Sequence, residues 1–233
     1  YDTVAQYREA KLRILKNIDP GTPVVVRAGE GLTEKGSQIT FSSQGDADWF
    51  LSGEDIFKGD RKFISIAETK LRGLHNAENL MAACAVVTGL TPEVARDALA
   101  NYSPPEHRCE LVAIIDGVEY LNDSKATNVG ATLAALTGIG ESIDGKVILI
   151  AGGQGKGQDF SPLTEPARQY LRAGLLMGED RSTLAEGMSA APCELVADME
   201  AAVARAHALA QPGDAVLLSP ACASFDMYSS FVA

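Results

Sequence analysis

The chain has 233 residues, 46% of them apolar and 22% charged, with a net charge of −11. This is a globular composition, sized for one large domain or two modest ones. No apolar run reaches the roughly 18 residues a membrane span needs, so no membrane span and no signal peptide are expected, and the lack of a basic stripe argues against a nucleic-acid partner.

VAQYREAKLRILKNI reads as an amphipathic helix with Val4, Leu12 and Ile14 as core candidates, ended by Pro20 and Gly21. PVVVRA, ITF, DADWFL and KFISIAE read as strands separated by turn residues, antiparallel in character. HNAENLMAACAVVTG is a helix with Leu80, Cys84 and Val87 on one face, stopped by Gly89. Thr91 followed by Pro92 starts another helix, a hydroxyl cap and then proline at the first position, running to about Leu99. NYSPPEH has two prolines and no apolar run, which places a domain boundary near residue 104 and divides the chain into 1–103 and 104–233.

Beyond that boundary strands and helices alternate. CELVAIIDG and EYLND form strands around a turn at Gly117, and TNVGATLAAL is a helix with Val129, Leu133 and Leu136 inward. KVILIAGG is apolar throughout, as in a parallel sheet covered on both faces. SPLTEPARQY starts a helix with Ser161 as cap and Pro162 at the first position, followed by strand RAGLLMG, short helix STLAEGM and short strand PCELVA. DMEAAVARAHALA is a helix with an inward stripe of Met199, Val203, Ala206 and Leu209, AVLLSP is a strand, and SFDMYSSF opens a last helix. The fold class is α/β, a doubly wound sheet whose ligands bind beyond Ile150, Met177 and Leu218.

Three turns at that sheet edge suit an anion. AGGQGKG is not a Walker loop: counting back from Gly155-Lys156 puts Ile150 where a glycine is required, and Gly157 stands where Ser or Thr is required. Its glycines and Lys156 still suit a carboxylate or a phosphate, unless this is a plain turn with a solvated lysine. In YLNDSKATNVG, Asp123 and Lys125 follow a strand, and Thr127 or Asn128 caps a helix whose N-terminus favours anions; the same residue types also make a simple capping turn. Asp123 repels anions, so it would accept from a sugar hydroxyl or place Lys125. In SPACASFDMYSSF, Ser224 offers a hydroxyl at a helix start, while Cys222 has no neighbouring His and reads as a buried hydrophobe.

Elsewhere, His75, Asn76 and Asn79 stand at a helix start where the amides can read a purine edge, and Arg108 past the boundary can reach a nucleotide phosphate. Three scattered histidines make no zinc site. Neither GxSxG nor a Rossmann GxGxxG after a strand occurs. Cys84, Cys109, Cys193 and Cys222 lie far apart without a CxxC pair, the pattern of reduced cytoplasmic thiols.

HNAEN, PPEHRCE, YLNDSKATNVGATLAAL, LIAGGQGKGQDFSPL and VLLSPACASFD resemble the cytoplasmic Mur ligases of bacterial cell-wall synthesis. NDSKATN and SPACASFD are similar to the branch that adds D-glutamate to UDP-N-acetylmuramoyl-L-alanine. The resemblance covers nearly the whole chain and is weakest over residues 21–62. It implies the end of an ATPase-type central domain over 1–103 and a Rossmann-like amino-acid domain over 104–233, with ATP and Mg2+ as cofactors. Lys11 resembles the lysine that becomes carbamylated and helps hold magnesium, Asn76 and Asn79 the pair beside adenine, and Arg108 the arginine reaching the phosphates. Asp123 resembles the acid near the ribose and Lys125 the lysine close to the reacting groups; Thr127, Lys156, Ser224 and Phe231 resemble the D-glutamate pocket. The implied reaction runs through an acyl phosphate attacked by the D-glutamate amine, with metal and cations offsetting the developing charge.

The expectation is a cytoplasmic monomer. The family's phosphate loop and UDP-binding domain are expected N-terminal of Tyr1, so residues 1–233 alone are expected to be inactive. A sister Mur or folylpolyglutamate-type ligase, or a non-catalytic nucleotide and amino-acid binding fragment, are the alternative readings.

Overall fold

Val147–Gly152 is buried along its entire length because it lies at the centre of a sheet covered on both faces. The computed structural model describes residues 4–30, 37–71, 73–102 and 105–229. It divides into two compact units, Tyr1–Leu71 with Asn76–Ser103 and Arg72–His75 with Pro104–Ala233.

The first unit holds helix α1 (Val4–Leu12), continued by a 3-10 turn over Arg13–Leu15, and strands β1 (Pro23–Arg27), β2 (Ser37–Ser42), β3 (Trp49–Ser52), β4 (Asp55–Lys58) and β5 (Arg61–Ser65) in sheet order β1-β2-β3-β4-β5. The antiparallel expectation holds only for β3-β4-β5, whose tight two-residue connections reverse the chain; β1-β2 and β2-β3 pair in parallel. Helices α2 (Leu74–Val86) and α3 (Pro92–Ala100) complete the unit's core: Leu80, Met81, Cys84 and Ala95 pack with Trp49, Ile56, Phe63 and Ile64. Thr91 caps α3 as expected, accepting the Val94 N–H, with Pro92 in the first turn. Two core expectations fail. Ile14 is 81% exposed because the helix tightens to 3-10 before it, and Val87 lies beyond the end of α2 and is exposed.

The second unit is the expected doubly wound α/β domain. Strands β6 (Glu110–Ile115) and β7 (Val118–Asn122) form a hairpin closed by Asp116 and Gly117, both at positive φ. Then follow α4 (Val129–Gly140), β8 (Val147–Gly152), α5 (Thr164–Tyr170), β9 (Leu171–Met177), α6 (Arg181–Gly187), β10 (Cys193–Leu195), α7 (Met199–Leu209) and β11 (Ala215–Leu218). The sheet order is β10-β9-β8-β11-β7-β6, parallel except for β6. Alternation sorts the strand residues into two cores: Leu149, Ala151, Leu176 and Leu217 face α4, α5 and α6, while Ile148, Ile150, Leu175 and Val216 face α7. Each such fully buried aliphatic side chain contributes about 1.5–3 kcal/mol.

Three details differ from the sequence reading. Ser161 does not cap α5; its N–H and hydroxyl both donate to Asp159, and a 3-10 turn over Ser161–Leu163 precedes the helix. Val203 on α7 is exposed, because Ala202 and Ala206 make the close contact with the sheet. After Ser224 the described residues form one turn, in which its carbonyl accepts from the Met227 and Tyr228 N–H groups. Among the described residues no helix is long and apolar enough to cross a membrane.

Candidate functional site

In the second unit, β7, β8, β9 and β11 end at one edge of the sheet, and their exits surround a cleft of ≈ 780 Å³. Lys125 and Thr127 line it from the β7 exit, Gly152 and Gly153 from β8, Met177 from β9, and Ser224 and Asp226 from β11. His107, Asn122, Met199, Met227 and Tyr228 also line it. An apolar wall with a few convergent polar groups is the usual composition of a small-molecule site. Of the sequence-predicted site residues, the substrate-pocket candidates Thr127 and Ser224 and the catalytic candidate Lys125 are therefore gathered in one place.

Each loop is shaped by identifiable bonds. Asn128, not Thr127, caps α4: its side chain accepts the Ala131 N–H at 3.0 Å. Thr127, just ahead of that cap, is left exposed, as is Lys125. In the glycine loop, Gln154 and Ala223 exchange backbone bonds at 2.7 and 3.0 Å, tying the β8 exit to the β11 exit. Gly153 has φ +124°, and a Cβ there would collide with the Ala223 carbonyl oxygen, so only glycine fits. The Gly155 N–H donates to Asp180 at 2.7 Å, and Asp226 accepts the Glu179 N–H at 2.7 Å. The Gln158 side chain accepts the Val129 N–H and donates to the Gly155 and Ala221 carbonyls.

Lys156 has φ +54° and is exposed, its Nζ 6.0 Å from the centre of the Phe225 ring. It lies on the loop beside the cleft rather than in its wall. Among the described residues, five non-glycines take positive φ, and four of them, His107, Cys109, Lys156 and Ala221, belong to the loops of this edge. Such backbone costs of order 1–3 kcal/mol each and gathers where geometry serves a ligand.

Asp123 is buried beneath the loops. Its Oδ1 accepts the Cys109 N–H at 3.2 Å and its Oδ2 the Ser219 hydroxyl at 3.0 Å. Burial pushes its carboxyl above the ordinary value, against the lowering effect of those bonds and of the Arg108 charge. Arg108 is exposed between the strained residues His107 and Cys109. Asn122 Nδ2 bonds His107 Nδ1 at 2.9 Å, while Asn122 Oδ1 accepts the Ser124 N–H at 3.1 Å. Cys222 is pushed up to about 12 by burial, then by Asp180 and Asp226, which leaves it a neutral thiol at pH 7.

In the first unit, Asn76 and Asn79 lie three residues apart on α2 and so share one helix face, Asn76 half-buried and Asn79 exposed. Paired amides on one face fit a purine edge. Lys11 is exposed near the end of α1, its Nζ 5.3 Å from the Tyr7 ring centre. Among the described residues no three His, Cys, Asp or Glu side chains cluster as a metal cage. Phe231 lies outside the described residues.

The sequence reading missed Asn122, Gln158, Asp180 and Asp226, and gave His107 no role of its own. Asn122 sits inside the quoted YLND run and Gln158 inside AGGQGKGQDF, but the bonds that matter join residues far apart in sequence.

Residues 107–222 match the family described as Mur ligase, glutamate ligase domain. A UDP-N-acetylmuramoylalanine--D-glutamate ligase of Alcanivorax borkumensis is 56% identical over 100% of this chain and 54% of its own length. The enzyme of the same description from Pseudomonas aeruginosa is 42% identical over 99% of this chain and 54% of its own. The crystal structure of MurF from Acinetobacter baumannii shares the fold, with a TM-score of 0.68 at 16% identity over 96% of this chain and 53% of that one. The chain spans about half the length of the curated relatives it matches. Over that span the site loops and the sheet that carries them agree with one family, and the chain belongs to the Mur ligases.

Proposed function

We propose that this chain carries the amino-acid-binding domain and part of the ATP-binding domain of an ATP-dependent acid–amino-acid ligase that joins D-glutamate to UDP-N-acetylmuramoyl-L-alanine. The single observation behind this reading is the convergence of Lys125, Thr127 and Ser224 on one cleft at the carboxyl edge of the sheet, with Lys156 on the adjoining loop. Residues 104–233 are the amino-acid domain and residues 1–103 part of the ATP-binding domain, with Asn76 and Asn79 against adenine and Lys11, as a carbamate, on magnesium.

Bound ATP with magnesium would supply the activation, an acyl phosphate on the carboxylate of UDP-N-acetylmuramoyl-L-alanine. The residues of this chain bind and orient. Lys156 and the Thr127 hydroxyl, at the positive end of the α4 dipole, hold the two carboxylates of D-glutamate, and the Ser224 hydroxyl donates a further bond. Lys125 offsets charge building on the reacting oxygens, and Arg108 supports the phosphates. Asp123, near the ribose in this reading, also shapes the turn that presents Lys125. No covalent nucleophile is required, in keeping with the neutral, buried Cys222. All four cysteines are free thiols, which suits the cytoplasm, and the enzyme is read as a monomer with no nucleic-acid or membrane partner.

No GxxxxGK[ST] run occurs in these 233 residues, so the chain by itself is expected to bind D-glutamate without turning over ATP. The test is phosphate release from ATP by a polypeptide joining these residues to a phosphate loop, with UDP-N-acetylmuramoyl-L-alanine and a panel of amino acids. D-glutamate alone should support release. Preference for another amino acid would point to a sister ligase, and binding without release to a non-catalytic module.

A further inference from the structure

Lys156 reaches its place on a loop that no local sequence pattern fixes. Two residues on, Gln158 is half-buried among three segments. Its Oε1 accepts the Val129 N–H at 3.1 Å, and its Nε2 donates to the Gly155 carbonyl at 2.9 Å and the Ala221 carbonyl at 3.2 Å. One partner is a donor and two are acceptors, so the amide can face only one way.

Each segment carries one of the substrate residues. Thr127 lies two residues before Val129, Lys156 directly follows Gly155, and Ser224 lies three residues after Ala221. Backbone bonds join these segments only in pairs: Ala221 N–H to the Ala126 carbonyl at 2.9 Å, and the Gln154–Ala223 exchange. Gln158 joins all three. Its two donors also grip the carbonyls beside strained backbone: the peptide entering Lys156, at φ +54°, and that of Ala221, at φ +61°.

We propose that Gln158 is a positioning residue that sets the mutual spacing of Thr127, Lys156 and Ser224, and so the affinity of the cleft for a dicarboxylic amino acid. A ligand with two carboxylates on one short chain needs its donors at a fixed separation; among the described residues the backbone bonds tie the β11 exit to each of the other two, and Gln158 supplies the direct tie between the β7 and β8 exits. The affinity consequence rests on the cleft being the amino-acid site proposed above; the spacing role does not.

The test uses the 233-residue chain with Gln158→Ala and Gln158→Glu, residue-resolved amide exchange, D-glutamate titration and thermal unfolding. In Gln158→Ala, the Val129, Ala221 and Ala223 amides should exchange about tenfold faster while the strand amides of β8 and β9 do not change. Gln158→Glu keeps the acceptor for Val129 but sets a carboxylate against two carbonyls. Val129 should then stay protected while Ala221 and Ala223 loosen. Both variants should bind D-glutamate about tenfold more weakly with melting temperatures within about 3 °C of the parent.

Unchanged exchange at Ala221 and Ala223 would overturn the proposal. So would faster exchange without loss of affinity, or faster exchange spread evenly over the whole unit, which is ordinary destabilisation. If the parent chain itself fails to bind D-glutamate, the functional reading fails, and the exchange pattern alone decides the spacing role.

Discussion

Asp214 grips Arg172 with both carboxylate oxygens, Arg172 Nε lying 2.5 Å from Oδ2 and Nη2 2.9 Å from Oδ1. The same oxygens accept the Lys146 and Gln211 N–H groups at 2.8 and 2.9 Å. Lys146 precedes β8, Arg172 begins β9 and Asp214 precedes β11, so one carboxylate, 1% exposed, fastens three strands at the end of the sheet opposite the cleft. Burial works to raise this carboxyl, but the Arg172 bonds and the two backbone N–H groups outweigh it and leave it below the ordinary value. A depressed carboxyl stabilises the fold above its unfolded value, and that contribution is lost as pH falls through the folded one. Unfolding followed by circular dichroism should show stability dropping below about pH 4. Asp214→Asn should blunt that drop and cost about 3 kcal/mol at neutral pH. An unaltered neutral stability would count against the latch.

Asp123 has the opposite sign. Burial raises its carboxyl, so its contribution is complete below the unfolded value and is lost as pH rises through the folded one. Asp123→Asn, measured by denaturant titration, should therefore destabilise the second unit less at pH 7 than at pH 4. A penalty that grows with pH would show that the bonds from Ser219 and Cys109 dominate instead.

Lys156→Ala should weaken D-glutamate binding by about 1.5–3 kcal/mol, roughly ten- to a hundredfold, the size of one charge-assisted hydrogen bond. In a polypeptide that also carries a phosphate loop, the KM for ATP should hardly move. Calorimetry and steady-state kinetics read the two effects separately, and equal losses for both substrates would remove Lys156 from the amino-acid site.

Gly153→Ala places a Cβ against the Ala223 carbonyl at a backbone angle that side chains avoid. The substitution should open the Gln154–Ala223 bridge and cost about 2 kcal/mol, with weaker D-glutamate binding. A melting temperature and affinity equal to the parent's would contradict this.

Much of the second unit is legible from sequence because its signals are local. The apolar run at Val147–Gly152, the Asp116-Gly117 turn and the capping Asn128 each announce their structure within a few residues. The first sheet is less legible, since parallel pairing of β1, β2 and β3 leaves no mark on strands of four to six residues. The inward face of α7 is read correctly at Ala206 and wrongly at Val203, because the small Ala202 makes the contact there. The residues proposed to meet substrate stand out as charged or hydroxyl groups at strand ends. The residues that hold them do not, because Gln158 to Ala221 or Gly155 to Asp180 are side chain–backbone bonds spanning 63 and 25 positions. No periodicity encodes such a pair.

The bond between Asn122 and His107 bears on proton traffic in the cleft. With its oxygen taken by the Ser124 N–H, Asn122 must present its NH2 to His107, which makes Nδ1 the acceptor and Nε2 the nitrogen that carries the proton. In this tautomer the imidazole can donate to an oxygen acquiring negative charge, and it has no free lone pair with which to deprotonate an incoming ammonium. In the ligation proposed above, the amine's proton would then leave by another route, to solvent or to an oxygen of the substrates themselves.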